Sequence, residues 1–272
     1  MKLEYNIRNL YNPVQPAVMD ADGEISYIEL PPAPQLQKFI YCYWNLKTTR
    51  PLHDIYNYRV VADGCIDIVF NRNDHDEAHI MGYCNSFVMI DIAKEFNYFG
   101  IRFLPGMFPL LFNIDASELS NHYEHLSIVQ PHLYNIIQQS GYECLFIQNL
   151  CNALNHYFIN RINKIDKPFD ERLFCALESI LESRGRINIE KDLKDSGISN
   201  RHLQRLFNFY IGDTPKSFCR IVRFQNLLMA DPSIQSIKDE KSFYDFGYYD
   251  QNHFIKEFKL FYGKTPSKVT LE

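Results

Sequence analysis

Residues 250–266 read DQNHFIKEFKLFYGKTP. Phe254 and Phe258 are four apart, and Phe261 extends the same stripe, so the spacing predicts a helix with one apolar face. Gln251, Asn252, Ile255, Lys256 and Lys259 fall largely on the opposite face. Asp250 stands where an N-cap belongs, and Gly263 stands where the helix should stop. A short helix with an apolar back and a basic, amide-bearing front can present hydrogen-bond donors and acceptors to a DNA major groove. The same description fits many plain surface helices, so the stretch alone decides nothing.

The pattern occurs twice. Residues 197–215, GISNRHLQRLFNFYIGDTP, carry Leu203, Phe207, Gly212, Thr214 and Pro215 at an offset of 51 from Phe254, Phe258, Gly263, Thr265 and Pro266. Gly197 and Gly247 are related by 50, which places one extra residue in the later turn. An internal repeat speaks of architecture first. Here it predicts two similar helical units side by side, with one helix between them. In the first unit the outward positions are Asn200, Arg201, Gln204, Arg205 and Asn208.

Charge follows the repeat. The whole chain carries a net −5, which argues against simple coating of nucleic acid. From 168 onward there are 16 Lys and Arg against 15 Asp and Glu, leaving 12 against 18 before it. Within 197–230 the count is five basic to one acidic, and within 251–271 it is four to one. Positive charge is thus gathered where phosphate contacts would need it.

At 272 residues with 46% apolar residues, the chain is expected to fold as one large or two ordinary globular domains. No apolar run approaches the ~20 residues of a membrane span. The first residues show no apolar core of a signal peptide. Seven scattered cysteines without a CxxC are expected as reduced, mostly buried thiols in a cytosol.

Along the chain, 1–23 is expected to be irregular. Strands are expected at 24–30, around YCYWNLK, at 58–62 and 65–70, then at 78–82, 86–92 and 96–103. Asp63-Gly64 reads as the turn of a hairpin joining 58–62 to 65–70. Short strands with turn signals predict a β-sandwich or barrel. Helices are expected at 109–112, 116–125, 131–139 and 142–162. The polar stretch 163–168 reads as a linker. Beyond it the pattern is all helical, at 170–183, 189–195, 200–210, 215–229, 239–245, 250–261 and 266–271. The fold class is therefore α+β: a β-rich domain with trailing helices over 1–162, then an all-α domain over 169–272.

With these residues in place, the region 187–269 resembles the AraC/XylS-type DNA-binding domain, two helix-turn-helix units joined by a connecting helix. Gly247, Tyr248, Asp250, His253, Phe254, Phe258, Lys259, Gly263, Thr265 and Pro266 carry the likeness in the second unit. Ser199, Leu203, Arg205, Phe207 and Gly212 carry it in the first, with Arg223 on the connecting helix. Two places depart from the family pattern. Asp192-Leu193 and Ser242-Phe243 stand where an apolar-Ala pair is usual, and bulky Phe243 is expected to change the packing angle of the second unit. PPAPQLQKFIYCYW, VADGCIDIVF and GIRFLPG are similar to an N-terminal domain, cupin-like or related, often fused to this module in bacterial regulators.

The resemblance implies sequence-specific binding of double-stranded operator DNA in successive major grooves, about 10 bp apart. The DNA-binding residues expected are Asn200, Arg201, Gln204, Arg205, Asn208, Gln251, Asn252, Ile255, Lys256 and Lys259. Arg205, Lys256 and Lys264 are expected on phosphates, and Arg223 is expected as a tie between the units. A small-molecule effector, or pairing into a homodimer through the N-terminal domain, is the expected modulation. Membrane association, a cofactor and a metal are not expected. Nor is an enzyme, since no Ser-His-Asp order, P-loop, GxGxxG or carboxylate pair stands out. Trp44, Asp63, Asp67 and Arg102 have two readings, as pocket lining or as core aromatic, turn carboxylate and internal ion pair. His75 with His79, and His122 with His125, have metal-like spacing, but a solvated loop and a surface helix account for them. The rival reading is a small-molecule-binding or enzymatic β domain on a helical scaffold that does not bind DNA. A pairing adaptor without ligand is a third.

Overall fold

Alternating side chains along the early segments allow one face of each strand to be buried, and the chain uses this to build a sheet with two different faces. The computed structural model describes residues 7–16, 23–74, 76–140, 146–165, 170–193, 197–230 and 242–269. Strands β1 (Ile25–Leu30), β2 (Ile40–Thr48), β4 (Ile66–Asn71), β5 (Ala78–Met81), β7 (Asn97–Phe103) and β8 (Tyr123–His125) form a six-stranded sheet in the order β1-β2-β7-β4-β5-β8. Strands β3 (Tyr56–Val60) and β6 (Val88–Ile92) pair separately as a two-stranded ribbon. Every pairing is antiparallel.

One face of the sheet presents Ile66, Ile68 and Phe70 from β4 and Phe99, Ile101 and Phe103 from β7 to the main core. Ile40 and Tyr43 join them although they are three apart, because the register shifts between Ile40 and Cys42 and turns the strand by one residue. The other face carries Cys42, Trp44 and Leu46 toward the ribbon, in a separate apolar cluster with Tyr58, Ile92 and Phe96. Trp44 lies flat across β7 at Gly100, where a β-carbon would come within 1.9 Å of the indole. Any side chain there forces the indole or the strand to shift.

The expected hairpin at Asp63-Gly64 is not formed. Gly64 does adopt the left-handed conformation of a turn residue (φ +71°), but β3 pairs with β6 and β4 with β5 and β7. The turn carries the chain from ribbon to sheet. It is held there by Gln15, whose amide bonds the backbone of Val61 and the Asp63 carboxylate, and by Phe218, which packs on Gly64. Local turn chemistry was legible; the partner strand was set by these distant contacts. The helix expected over 116–125 is also replaced, by a 3-10 turn at Ala116–Glu118 and then by β8. Tyr123–His125 add one short edge strand to β5.

Helices α1 (Met107–Phe112), α2 (Leu126–Val129), α3 (Pro131–Ser140) and α4 (Ile147–Ile162) follow. Phe103, Phe108, Phe112 and Phe158 meet largely edge to face between the sheet and α1 and α4. The C-terminal region contains α5 (Glu171–Glu182), α6 (Ile189–Asp192), α7 (Asn200–Tyr210), α8 (Pro215–Ala230), α9 (Ser242–Asp245) and α10 (Gln251–Tyr262). Pro266–Lys268 form a 3-10 turn. The proposed linker lies partly outside the described residues, at 166–169, as do the ends expected for several helices.

The buried side chains of the two halves merge into one cluster. Helix α8 explains this. Phe218, Ile221, Val222, Phe224, Gln225 and Leu228 are all buried, so the helix is apolar on more than one side and packs between the halves. Buried Gln225 accepts from the Val14 N–H at 2.7 Å and donates to the Ala62 carbonyl at 2.8 Å. One side chain of α8 is thereby tied to two backbone segments of the N-terminal half.

Candidate nucleic-acid interface

The two repeated units are built by the same devices. In the first, Ser199 caps α7 by accepting from the His202 N–H at 3.3 Å. In the second, Asp250 caps α10 by accepting from the His253 N–H at 2.7 Å. Each cap satisfies one of the free donors of a helix start. Gly212 (φ +103°) and Gly263 (φ +92°) end the two helices in the left-handed conformation, and one residue after each comes Thr-Pro. Leu203, Leu206 and Phe207 of α7 and Phe254, Phe258 and Phe261 of α10 point into the core. Both helices pack against α8.

The opposite faces look outward. Asn200, Arg201, Gln204, Arg205 and Asn208 are exposed on α7, and Gln251, Asn252, Lys256 and Lys259 are exposed on α10. Ile255 is half-buried and packs against the core edge. Asn200 and Gln204 also line an open groove of about 490 Å³ together with Arg186, Lys216 and Arg223. With Asn188, three cationic side chains and three amides thus converge on one concave surface beside α7.

Some charges are already engaged. Arg205 lies 3.0 Å from His202 Nδ1, and His202 Nε2 lies 3.1 Å from Asp170, the N-cap of α5. Hydrogen bonds from Arg172 and then from His202 hold the Asp170 carboxyl well below the usual carboxylate range. Arg223 donates to the Gly247 carbonyl at 3.0 Å and lies over the Tyr248 ring, so it joins α8 to the turn before α10. Arg220 donates to buried Glu257 at 2.5 Å, and His253 Nε2 sits 3.2 Å from the same oxygen. The Arg220–Glu257 pair went unnoticed in the sequence. Its signal is there: Glu257 lies one helical step from His253, beside the apolar stripe.

Phe243, which departs from the family pattern, is buried. Its ring stacks nearly parallel on Phe254, with centroids 5.7 Å apart. The second unit accommodates the large residue by filling its core with Phe243, Tyr248 and Phe254.

The C-terminal ends of both helices rest on the N-terminal half. The Leu260 carbonyl accepts from the Phe87 N–H at 3.0 Å, and the Phe261 carbonyl accepts from the Ala62 N–H at 3.3 Å. These are carbonyls that a helix end leaves without an internal partner. The Gly212 carbonyl accepts from the Ser120 hydroxyl at 2.7 Å. A β-carbon on Gly212 would lie 3.2 Å from Tyr83, and one on Gly263 would lie 2.8 Å from Phe87. Tyr83 and Phe87 belong to the same connection, 82–87, between β5 and β6. One short segment therefore touches both Gly-x-Thr-Pro turns.

On the sheet face toward the ribbon, Trp44, Asp67 and Arg102 meet. Trp44 Nε1 donates to Asp67 at 3.0 Å, and Arg102 donates to the same carboxylate through Nε and an Nη at 3.0–3.2 Å. Asp63 lies 3.6 Å from Arg102. Burial pushes the Asp67 carboxyl up to about 6, against the pull of Arg102. Both readings of these residues hold: three of them line a cavity, and together they form an internal ion pair, while Asp63 sits behind the lining. His75 lies outside the described residues, and no metal-binding group of three or more His, Cys, Asp or Glu occurs among those described. His122 and His125 belong to the β8 edge, where His125 bonds the Asp76 carbonyl and Ser127. No helix among the described residues is long and apolar enough to cross a membrane.

Residues 194–271 match a family described as a helix-turn-helix domain. Residues 28–125 match a domain of unknown function, DUF6597. No curated protein matches the chain. Among solved structures, a point variant of apo ToxT from Vibrio cholerae strain SCE256 is 14% identical, over 90% of this chain and 95% of that one, with a TM-score of 0.37.

Proposed function

From the premise that residues 194–271 are a helix-turn-helix domain of the AraC type, in a DNA-binding transcription regulator, we propose that both units read one operator. Asn200, Arg201, Gln204 and Asn208 of α7, and Gln251, Asn252 and Ile255 of α10, face the bases. Arg pairs with guanine and Gln or Asn with adenine by paired hydrogen bonds. Arg205, Lys256, Lys259 and Lys264 hold phosphates and position the protein without choosing sequence. The observation that carries this reading is the duplication itself: two capped helices, apolar sides buried on α8 and polar sides exposed.

The N-terminal half, 1–162, modulates that binding, and 163–168 marks the boundary with 169–272. The connection at 82–87 supports this reading because it contacts both turns. A shift of β5 against β6 moves it. Such a shift changes the population of binding-competent spacings and involves no chemistry.

The test is a gel shift against the DNA upstream of the protein's own gene. Specific binding is expected, with Arg201→Ala and Gln204→Ala each costing about 1–3 kcal/mol. Binding without sequence preference, unchanged by either substitution, refutes it.

A further inference from the structure

The cavity between the six-stranded sheet and the β3–β6 ribbon holds about 240 Å³ and is open to solvent on one side. A dry protein cavity of ~150 Å³ takes up benzene, so this one has room for roughly ten non-hydrogen atoms. Its aliphatic wall comes from both layers, with Leu46 and Val69 on the sheet and Val60, Ile90 and Ile92 on the ribbon. Trp44, Tyr58, Tyr98 and Tyr123 add aromatic surface.

The charges in this lining do not balance. Asp67 and Glu77 face the cavity against one guanidinium, that of Arg102. Arg102 is itself bound by Asp67, with Asp63 at 3.6 Å on its far side. His79 offers no compensation, since burial and then His125 lower its pKa from the ordinary value. A second anion placed here would add to an existing negative excess beside a largely apolar wall. A cation would relieve it, and aromatic faces attract cations as well. Arg102 Nη1 is buried without a partner. A neutral acceptor, such as a hydroxyl on the ligand, satisfies that donor without adding charge.

We propose that this cavity is a binding site for a small amine cation with an apolar body about the size of one substituted ring. This deepens the modulated-regulator reading by naming the class of its effector, and it rests on that reading only for the consequence, not for binding. The ligand would bridge β5, through His79 and Met81, and β6, through Ile90 and Ile92. Those two strands lead directly into the 82–87 connection.

The experiment uses the full chain and three probes of matched size at pH 7.5: phenethylamine, ethylbenzene and phenylacetate. Trp44 is the single tryptophan and lines the site, so its fluorescence reports occupancy, with calorimetry as a second readout. Phenethylamine is expected to bind at least tenfold more tightly than either other probe. Ile90→Trp, which fills the cavity from the ribbon, is expected to abolish binding in calorimetry while circular dichroism stays unchanged. Asp67→Asn is expected to cut amine affinity at least tenfold. Preference for phenylacetate, equal binding of ethylbenzene, absence of binding by all three, or amine binding that survives Ile90→Trp overturns the proposal. A gel shift without probes separates the two readings. Operator binding with no amine binding sinks only the effector class, and amine binding without operator binding sinks only the regulator.

Discussion

Replacing Phe243 by alanine tests whether the second unit stands on its own aromatic core. The ring is 3% exposed and stacked on Phe254. A buried aromatic side chain removes about 150–250 Å² from water, which at ~25 cal/mol/Å² is roughly 4–6 kcal/mol. Part of that is regained by relaxation, and measured Phe→Ala costs in cores run about 3–5 kcal/mol. Helix α9 has a single turn, Ser242–Asp245, so little else fastens it. The loss is therefore expected as local opening of 243–258 before global unfolding. A cost of about 3–4 kcal/mol raises amide exchange there by two to three powers of ten. Helix α7, which packs on a different part of α8, is expected to keep its protection. The assay is native-state hydrogen exchange read by mass spectrometry, with footprinting on operator DNA. The footprint half belonging to α10 should fade while the other half remains. Unchanged exchange in α10, or equal loosening of α7, refutes the argument.

Exposed Lys256 and Lys259 are each expected to lower the slope of log affinity against log salt by about 0.9 when changed to alanine, measured by titration across salt. Gly100→Ala places a β-carbon 1.9 Å from the Trp44 ring, so a loss of about 1–3 kcal/mol and a shifted fluorescence maximum are expected from denaturation followed at that one tryptophan. The Asp67 carboxyl, raised to about 6 by burial, binds its proton more tightly in the folded state than in the unfolded one. Its contribution is therefore fully present below about pH 4 and is lost as pH rises through about 6, and Asp67→Asn is expected to flatten stability over that window in urea titrations at stepped pH.

What the sequence disclosed was whatever depends on near neighbours. Asp250, Ser199, Gly212 and Gly263 act within a few residues, so caps and helix ends were legible, and the 51-residue offset revealed the duplication. Alternation located most strands. It did not say that Tyr58 would face Ile90 across a ribbon while β4 turned away to β7, because that choice rests on Gln15 and Phe218, far along the chain. Three residues, Tyr123–His125, are too few to show a period, and the helical reading of 116–125 failed for that reason. Trp44 and Gly100 fit each other only once β2 and β7 are adjacent, so that contact was invisible, although Trp44, Asp67 and Arg102 carry a pocket-lining reading in the sequence. Helix α8 did carry a visible warning. Its apolar residues run around most of its circumference, which marks a helix packed on several sides, and reading it as a connector alone missed its hold on Val14 and Ala62.

The segment 82–87 works as the hinge of a caliper. Tyr83 meets one unit at Gly212 and Phe87 meets the other at Gly263, so one loop of the N-terminal half spans the ends of α7 and α10. On the proposed reading, lengthening that loop by a single residue would reset the base-pair interval between α7 and α10, with the side chains proposed to face bases left as they were. Cutting away the first half of the chain would instead leave the last carbonyls of α10 bare and the jaws ungauged.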